Sequence, residues 1–329
     1  MHLSSTDDDN PTSPPPRHTG TGHDHVDVNL VVRASDGIEL SGTLARPPKS
    51  TSDAPAVLFL NGSGPLDRDS NFPGQALNVA STFADHLAGA GIASLRFDKR
   101  GVGASKGDFA TTGLDLEISD AAVCFAALGS CDDVDADRVA IVGHSVGATI
   151  AMRLAADRTG VAAVVLLAGP AQPGIAVMDW QTERMASSLP GPDWLLPAYF
   201  RRRTLKDRAA LLESRRHAIR PRPGALPAGW VQDFAAHDPS DDLGRIDCPV
   251  LAITGLKDLQ VDPNDVARMA TMVRGPFAGA TPADLTHLLR HESGRGGLRS
   301  YTRQVRRPVD PELLERVTTW LATLLAPEC

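Results

Sequence analysis

Between Arg138 and Met152 the chain reads Arg-Val-Ala-Ile-Val-Gly-His-Ser-Val-Gly-Ala-Thr-Ile-Ala-Met. Four apolar residues, Val139 to Val142, form a short buried-strand pattern. Gly143-His144-Ser145-Val146-Gly147 turns sharply, and Ala148 to Ala156 is small, apolar and suited to a helix. A strand that passes through so tight an elbow into a helix belongs to a sheet with helices packed against it. The turn also lifts Ser145 clear of that sheet, and the glycines two positions to either side leave room for it.

A serine hydroxyl is a weak nucleophile at neutral pH. It needs a base to take its proton, and the base needs an acidic partner that fixes its tautomer. Ser145 is thus the candidate nucleophile. A second Gly-x-Ser-x-Gly, Gly103-Ala104-Ser105-Lys106-Gly107, lacks the context: the apolar run Ile92 to Phe97 ends several residues earlier and no helix start follows. Ser105 is expected to be a loop residue.

Continuous apolar runs at Ala56–Leu60, Ile92–Phe97, Val139–Val142, Val161–Leu167 and Pro249–Gly255 alternate with helical stretches near Gln75–Gly89, Asp115–Leu128, Pro263–Val273 and Pro311–Leu325. Buried strands separated by helices predict a doubly wound, mostly parallel α/β sheet covered on both faces. An opening hairpin, Val26–Val32 and Ile38–Leu44 about Ala34-Ser35-Asp36-Gly37, precedes it, and a weakly marked last strand lies near Pro276–Ala280. Residues 1–25, polar and proline-rich, read as a disordered tail; 26–169 and 247–329 as the core; 170–246, where the alternation stops, as an inserted helical cap. His18, His23 and His25 in the tail do not make a metal site.

In a doubly wound hydrolase scaffold the partners follow the serine in the order acid, then histidine. Asp258 stands just past the strand ending at Gly255, where open α/β sheets carry functional side chains. Its rivals suit helix roles instead: Asp262 precedes Pro263 as an N-cap would, and Asp265 falls in that helix's first turn. Only His287 and His291 follow Asp258, and Arg290 and Glu292 give His291 a solvated appearance, which leaves His287 as the base. His144 adjoins the nucleophile, while His86, His217 and His237 precede the acid. Two amides should receive the oxyanion: that of Val146, just after the nucleophile, and that of Ser63 in the loop Asn61-Gly62-Ser63-Gly64-Pro65 after the third strand.

Gly143-His144-Ser145-Val146-Gly147, the order Ser145, Asp258, His287, and Phe97-Asp98-Lys99-Arg100-Gly101-Val102-Gly103-Ala104-Ser105 together resemble an α/β-hydrolase. Gly62-Ser63-Gly64-Pro65-Leu66-Asp67-Arg68-Asp69 is similar to the corresponding loop of bacterial carboxylesterases near the prolyl-oligopeptidase-like and lysophospholipase-like branch. The resemblance covers about residues 26 to 326. It implies a serine hydrolase of the carboxylesterase type, cleaving a small-molecule ester or thioester through an acyl-enzyme on Ser145, without cofactor or metal. Where many members carry His-Gly this chain has Asn61-Gly62, which leaves the side-chain support of that loop open. Arg68 and Asp69 look like a structural ion pair.

The same triad would serve an acyltransferase or a peptidase, and a hydrolase fold can bind a ligand without turnover. A dinucleotide fingerprint at Gly101-Val102-Gly103 fails, because Lys106 stands where the third glycine belongs and no helix begins there. A net charge of -7 disfavours nucleic acid as a partner. The absence of a long apolar run and of a signal-peptide pattern predicts a cytoplasmic protein without a membrane span. Cys124, Cys131, Cys248 and Cys329 have neither metal-ligand spacing nor a secretory context and read as free thiols. Within the stretch 201–222 of the cap nine basic residues, Arg201, Arg202, Arg203, Lys206, Arg208, Arg215, Arg216, Arg220 and Arg222, stand against only Asp207 and Glu213. They read as a solvated face, or as a surface attracting anionic substrates beside an apolar wall drawn from Trp180, Trp194, Trp230 or Phe200.

Overall fold

A computed structural model of the chain describes residues 25–48, 53–158, 160–214 and 226–327. Nearly all of the predicted tail, with His18 and His23, lies outside the described residues, as do Arg215, Arg216, His217, Arg220, Arg222 and Cys329. In chain order the elements are β1 (Val26–Arg33), β2 (Glu39–Arg46), β3 (Ala54–Leu60), α1 (Val79–Gly89), β4 (Ala93–Phe97), α2 (Leu114–Gly129), β5 (Val134–His144), α3 (Val146–Asp157) and β6 (Val164–Leu167). There follow α4 (Gly174–Ser187), α5 (Leu196–Leu212), α6 (Ala228–Ala236), α7 (Ser240–Leu243), β7 (Val250–Ile253), α8 (Asp265–Met272), β8 (Phe277–Ala280), α9 (Tyr301–Gln304) and α10 (Pro311–Leu324).

The strands form one sheet in the order β1-β2-β4-β3-β5-β6-β7-β8. β1 and β2 are the expected antiparallel hairpin, β2 joins β4 antiparallel, and every later pairing is parallel. The parallel strands β3, β6 and β7 are apolar throughout because both faces are covered. Val57, Phe59, Val142, Val165 and Ile253 meet α1 and α10 on one face, while Leu58, Leu60, Ile141, Val164 and Ala252 meet α2, α3, α6 and α8 on the other. The sequence sets the start of α10 locally: Asp310 accepts from the amides of Glu312 and Leu313, Pro311 opens the first turn, and Leu313, Leu314, Val317 and Leu321 make the buried stripe.

The register aligns Leu60 with Gly143 and His144 with Leu167. The C-terminal ends of β3, β5 and β6 are thus level, and the loops that leave them share one edge of the sheet. Two helix starts differ from expectation. α1 begins at Val79, not Gln75, because Phe72 and Gln75 pair as an isolated bridge and Asn71 Oδ1 accepts from the amides of Leu77 and Asn78. α8 has Asn264 at its N-cap, without a side-chain cap. Asp262 instead bonds the Asn264 amide and Arg268, so its capping role is replaced by a turn and an ion pair.

Three consecutive charges after β4 are buried and separately paired. Asp98 takes the guanidinium of Arg68, Lys99 takes Glu117, and Arg100 takes Asp120 and Asp36. Asp98 also accepts from the amides of Arg68 and Ala104, so the glycine-rich turn of residues 101–103 wraps a carboxylate of the protein itself. At Gly103, with φ of 55°, a side chain would strike that carboxylate. The turn has no place for a pyrophosphate. Leaving any one of these buried charges without its partner would cost about 3–5 kcal/mol.

Candidate active site

Ser145 sits at the junction of β5 and α3 with φ 56° and ψ -120°, a conformation a non-glycine residue adopts only where its surroundings impose it. The close packing about the elbow imposes it here. A methyl group at Gly143 would stand 2.3 Å from the carbonyl oxygen of Gly147, and one at Gly147 would stand 2.1 Å from that of Leu60. Both motif glycines therefore permit strand, helix and neighbouring strand to approach within contact. The Ser145 amide donates to Leu167 O at 2.8 Å, which ties the elbow to β6.

His287 Nε2 lies 3.1 Å from Ser145 Oγ. On the other side of the ring, Nδ1 lies 2.9 Å from Asp258 Oδ2 and 3.1 Å from Oδ1. A carboxylate can only accept, so Nδ1 carries the proton and Nε2 is left with its lone pair towards the hydroxyl. Asp258 is fully buried, and its Oδ1 also accepts from the amides of Gln260, at 2.7 Å, and Val261, at 2.9 Å. These bonds satisfy the carboxylate and orient it.

The three sequence-predicted residues are thus brought together from the ends of three strands. Asp265 is elsewhere: buried, it accepts from the Ala171 amide and Gln172 and pairs with Arg268, and burial raises its pKa. His291 is exposed, its side chain 59 % accessible, with Asp310 beside it. Its charged neighbours, however, are not in solvent as expected. Arg290 and Glu292 are themselves buried, at 2 % and 4 %. The Arg290 guanidinium donates to the carbonyls of Leu77 and Leu288, and Glu292 pairs with Arg307.

His144 has a part that sequence reasoning missed. Its Nε2 lies 2.9 Å from the carbonyl oxygen of His287 and, since that oxygen only accepts, Nε2 carries the hydrogen. Burial, with His287 as a second cause, pushes its pKa down to about 3. His144, beside Ser145, is a neutral strut for the backbone of His287. A histidine adjacent to Ser145 in sequence gives no hint of a partner so far along the chain.

The loop after β3 is braced by side chains despite the missing histidine. Asn61 donates to Asp67 O at 2.8 Å and accepts from Ser70 Oγ at 2.5 Å. Arg68 and Asp69 are both in ion pairs, but not with each other: Arg68 holds Asp98 and Asp69 holds Arg96. Gly62 lies against the nucleophile, since a methyl there would stand 3.4 Å from Ser145 Cβ. Ser105 is a buried loop residue whose hydroxyl donates to Asp98 O at 2.7 Å and accepts from the Ser41 amide at 2.8 Å.

A family model, Hydrolase_4, described as "Serine aminopeptidase, S33", matches residues 74–292. The chain belongs to this family. Its members are serine hydrolases, and the sheet described above is the α/β-hydrolase fold. Esterase EstD of Thermotoga maritima is 28% identical over 280 residues, which cover 83% of this chain. The match spans 63% of EstD's length. An uncharacterised protein of Mycobacterium tuberculosis, Rv2307c, is 34% identical over 137 residues, 42% of this chain and 44% of its own length. Among solved structures, the Pyrococcus furiosus esterase Pf2001 covers 95% of this chain and 97% of its own at a TM-score of 0.60 and 19% identity. Est1E of Butyrivibrio proteoclasticus, solved with ferulic acid bound, covers 90% and 97% at 0.59 and 18%. At such identity these two share the fold.

Among the described residues four helices, α4 to α7, stand between β6 and β7. Gln181 of α4 donates to Gln260, two residues beyond Asp258, at 3.0 Å, and Ser188 Oγ meets the Leu298 amide at 3.3 Å. Of the basic residues described on α5, Arg201 pairs with Glu183, Arg203 with Asp207 and Arg208 with Asp179. The acids Glu183 and Asp179 belong to α4, outside the stretch in which the sequence showed its excess of positive charge. The four aromatic residues do not form one wall: Trp194 is 76 % exposed, while Trp230 is 2 % exposed and stacked on Phe234.

No helix among the described residues is long and apolar enough to cross a membrane. Cys124, Cys131 and Cys248 are free. Burial pushes the Cys248 thiol up to about 11 and Cys124 higher still, which suits packing more than reactivity.

Proposed function

We propose that this chain is a serine esterase that cleaves a small-molecule carboxylic ester, or thioester, by way of an acyl-enzyme on Ser145. The observation that carries this is the continuous relay from Asp258 through His287 to Ser145, with the free lone pair of Nε2 at 3.1 Å from the hydroxyl. Ser145 Oγ attacks the acyl carbon as His287 Nε2 takes its proton, and Asp258 stabilises the imidazolium that forms. The carbonyl oxygen becomes an oxyanion held by the amides of Val146, at the start of α3, and Ser63. Collapse breaks the bond to the leaving alcohol, which receives the proton from His287. Water then repeats the sequence on the acyl-enzyme, releasing the acid and restoring Ser145. No step draws on a cofactor or a metal ion.

Residues 170–246 act in this reading as a cap over the pocket, supported by the contacts of α4 with the loop that bears Asp258. The names of EstD and of the two structural neighbours favour an ester; the family's description leaves a peptide bond as the second substrate. A fluorophosphonate probe tests the nucleophile. Stoichiometric labelling that disappears in Ser145→Ala is expected, followed by turnover of esters in a panel that also contains aminoacyl amides. A wild-type protein that binds ligands but takes no label would overturn the enzyme reading, and faster cleavage of the amides than of the esters would replace the esterase by a peptidase.

A further inference from the structure

Lys99 is a buried lysine whose position the relay just described does not explain. Its ammonium donates to both carboxylate oxygens of Glu117, at 3.0 and 3.1 Å, and to the carbonyl oxygen of Gly62 at 2.7 Å. An ammonium has three hydrogens to give, so these partners account for all of them. Both ends of the pair are buried, with side-chain accessibilities of 8 % and 5 %.

The Gly62 carbonyl and the Ser63 N–H belong to one peptide unit. That unit is planar and trans, so the two groups point in opposite directions. Holding the carbonyl at Lys99 turns the Ser63 N–H to the opposite side. Gly62 itself lies against the elbow, its open side 3.4 Å from Ser145 Cβ and 3.5 Å from the His144 carbonyl as measured to a methyl placed there. A cation on the carbonyl also polarises the amide and strengthens its N–H as a donor inside a site of low dielectric.

We propose, resting on the esterase reading, that Lys99 is a positioning residue: anchored by Glu117, it fixes the Gly62–Ser63 peptide so that its N–H meets the oxyanion formed at Ser145. A purely structural ion pair is the competing account. Buried ion pairs are commonly replaceable by apolar residues of like volume with little loss of stability, so a need for fold alone would not require the contact with Gly62. Glycine at position 62 has no side chain to hold its own peptide, and the Asn61 side chain is engaged with Asp67 and Ser70. The orientation of this one peptide is left to Lys99.

The test replaces the pair together, Lys99→Met with Glu117→Leu, so that no charge is stranded, and measures ester kinetics and inhibition by phenylboronic acid, whose adduct with the serine places an oxygen where the oxyanion forms. Loss of a complete oxyanion donor lowers kcat by about 10² to 10³. Loosening one is expected to lower kcat by about 10 to 10², to weaken boronate inhibition in parallel, and to leave KM within about twofold. Glu117→Gln keeps an amide oxygen beside Lys99 but removes the anchoring charge, so a loss of kcat smaller than that of the double variant is expected, again with weaker boronate inhibition. If the apolar pair does not fold, Lys99→Gln with Glu117→Gln keeps the pocket polar while withdrawing the charge and the reach.

A folded double variant with wild-type kcat and boronate affinity overturns the proposal. So does a loss of kcat with boronate affinity unchanged, which would place the effect outside the oxyanion site. Ester turnover or boronate affinity that survives in Ser145→Ala would instead show that the esterase reading is at fault.

Discussion

His144 donates its Nε2 hydrogen to the main-chain carbonyl of His287 across 2.9 Å, joining the residue before Ser145 to the backbone of the histidine that faces it. The two imidazoles lie 5.2 Å apart between centroids, and burial, with His287 as a second cause, keeps His144 neutral. Its pKa of about 3 expresses that burial. The bond ties His287 to the Ser145 elbow by fixing to each other two chain segments that leave different strands of the sheet.

A stability prediction follows from this histidine. The unfolded chain takes up a proton at His144 below about pH 6.5, whereas the folded chain resists it until about pH 3. Across that window the unfolded state binds more protons, so stability falls with acidification, by about 1.4 kcal/mol per pH unit from this group. Urea unfolding between pH 6 and pH 4.5 should show a slope shallower by about that amount in His144→Gln. Parallel slopes for the two proteins would mean that His144 is not held neutral.

Ser145 and His287 should behave as a unit. Removing either is expected to lower kcat by a factor on the order of 10⁴ to 10⁶, with the double change adding little, because each is idle without the other. Steady-state kinetics on Ser145→Ala, His287→Ala and the pair decide it. Effects that multiply would show that the two side chains contribute separately.

Ser105→Ala separates the two Gly-x-Ser-x-Gly sequences. The Ser105 hydroxyl makes two buried hydrogen bonds, to Asp98 O and from the Ser41 amide. Its loss should cost about 1–3 kcal/mol of stability, since the Ser41 amide is left without an acceptor. The kcat of the folded variant should equal that of wild type. A kcat that collapses in protein with a normal melting temperature would give Ser105 a chemical role.

The tryptophans of the helical insertion should respond oppositely. Trp230 is buried and stacked on Phe234 with centroids 5.2 Å apart, so Trp230→Ala is expected to cost about 3–5 kcal/mol. Trp194, which is 76 % exposed, should tolerate alanine within about 0.5 kcal/mol. Chemical denaturation of both variants checks this, and comparable losses would contradict the burial described for α6.

The sequence alone determined the parallel sheet and the elbow, and it narrowed the proposed relay to Ser145, Asp258 and His287. Those features are local: a continuous apolar run says strand, flanking glycines say close packing, and chain order limits the acid and the base to a few candidates. Charge pairing was not legible, because ion-pair partners come from distant segments. Nothing in the run Asp98-Lys99-Arg100 announces that the fold buries it against Arg68, Glu117 and Asp120. For the same reason the sequence pairs Arg68 with Asp69 and leaves out of account the acids of α4, Glu183 and Asp179, that pair with Arg201 and Arg208 of α5. Only tertiary structure decided how His144 supports His287 and how Lys99 grips Gly62. Each of these bonds ends on a main-chain carbonyl, which every residue possesses and which therefore leaves no mark in the sequence.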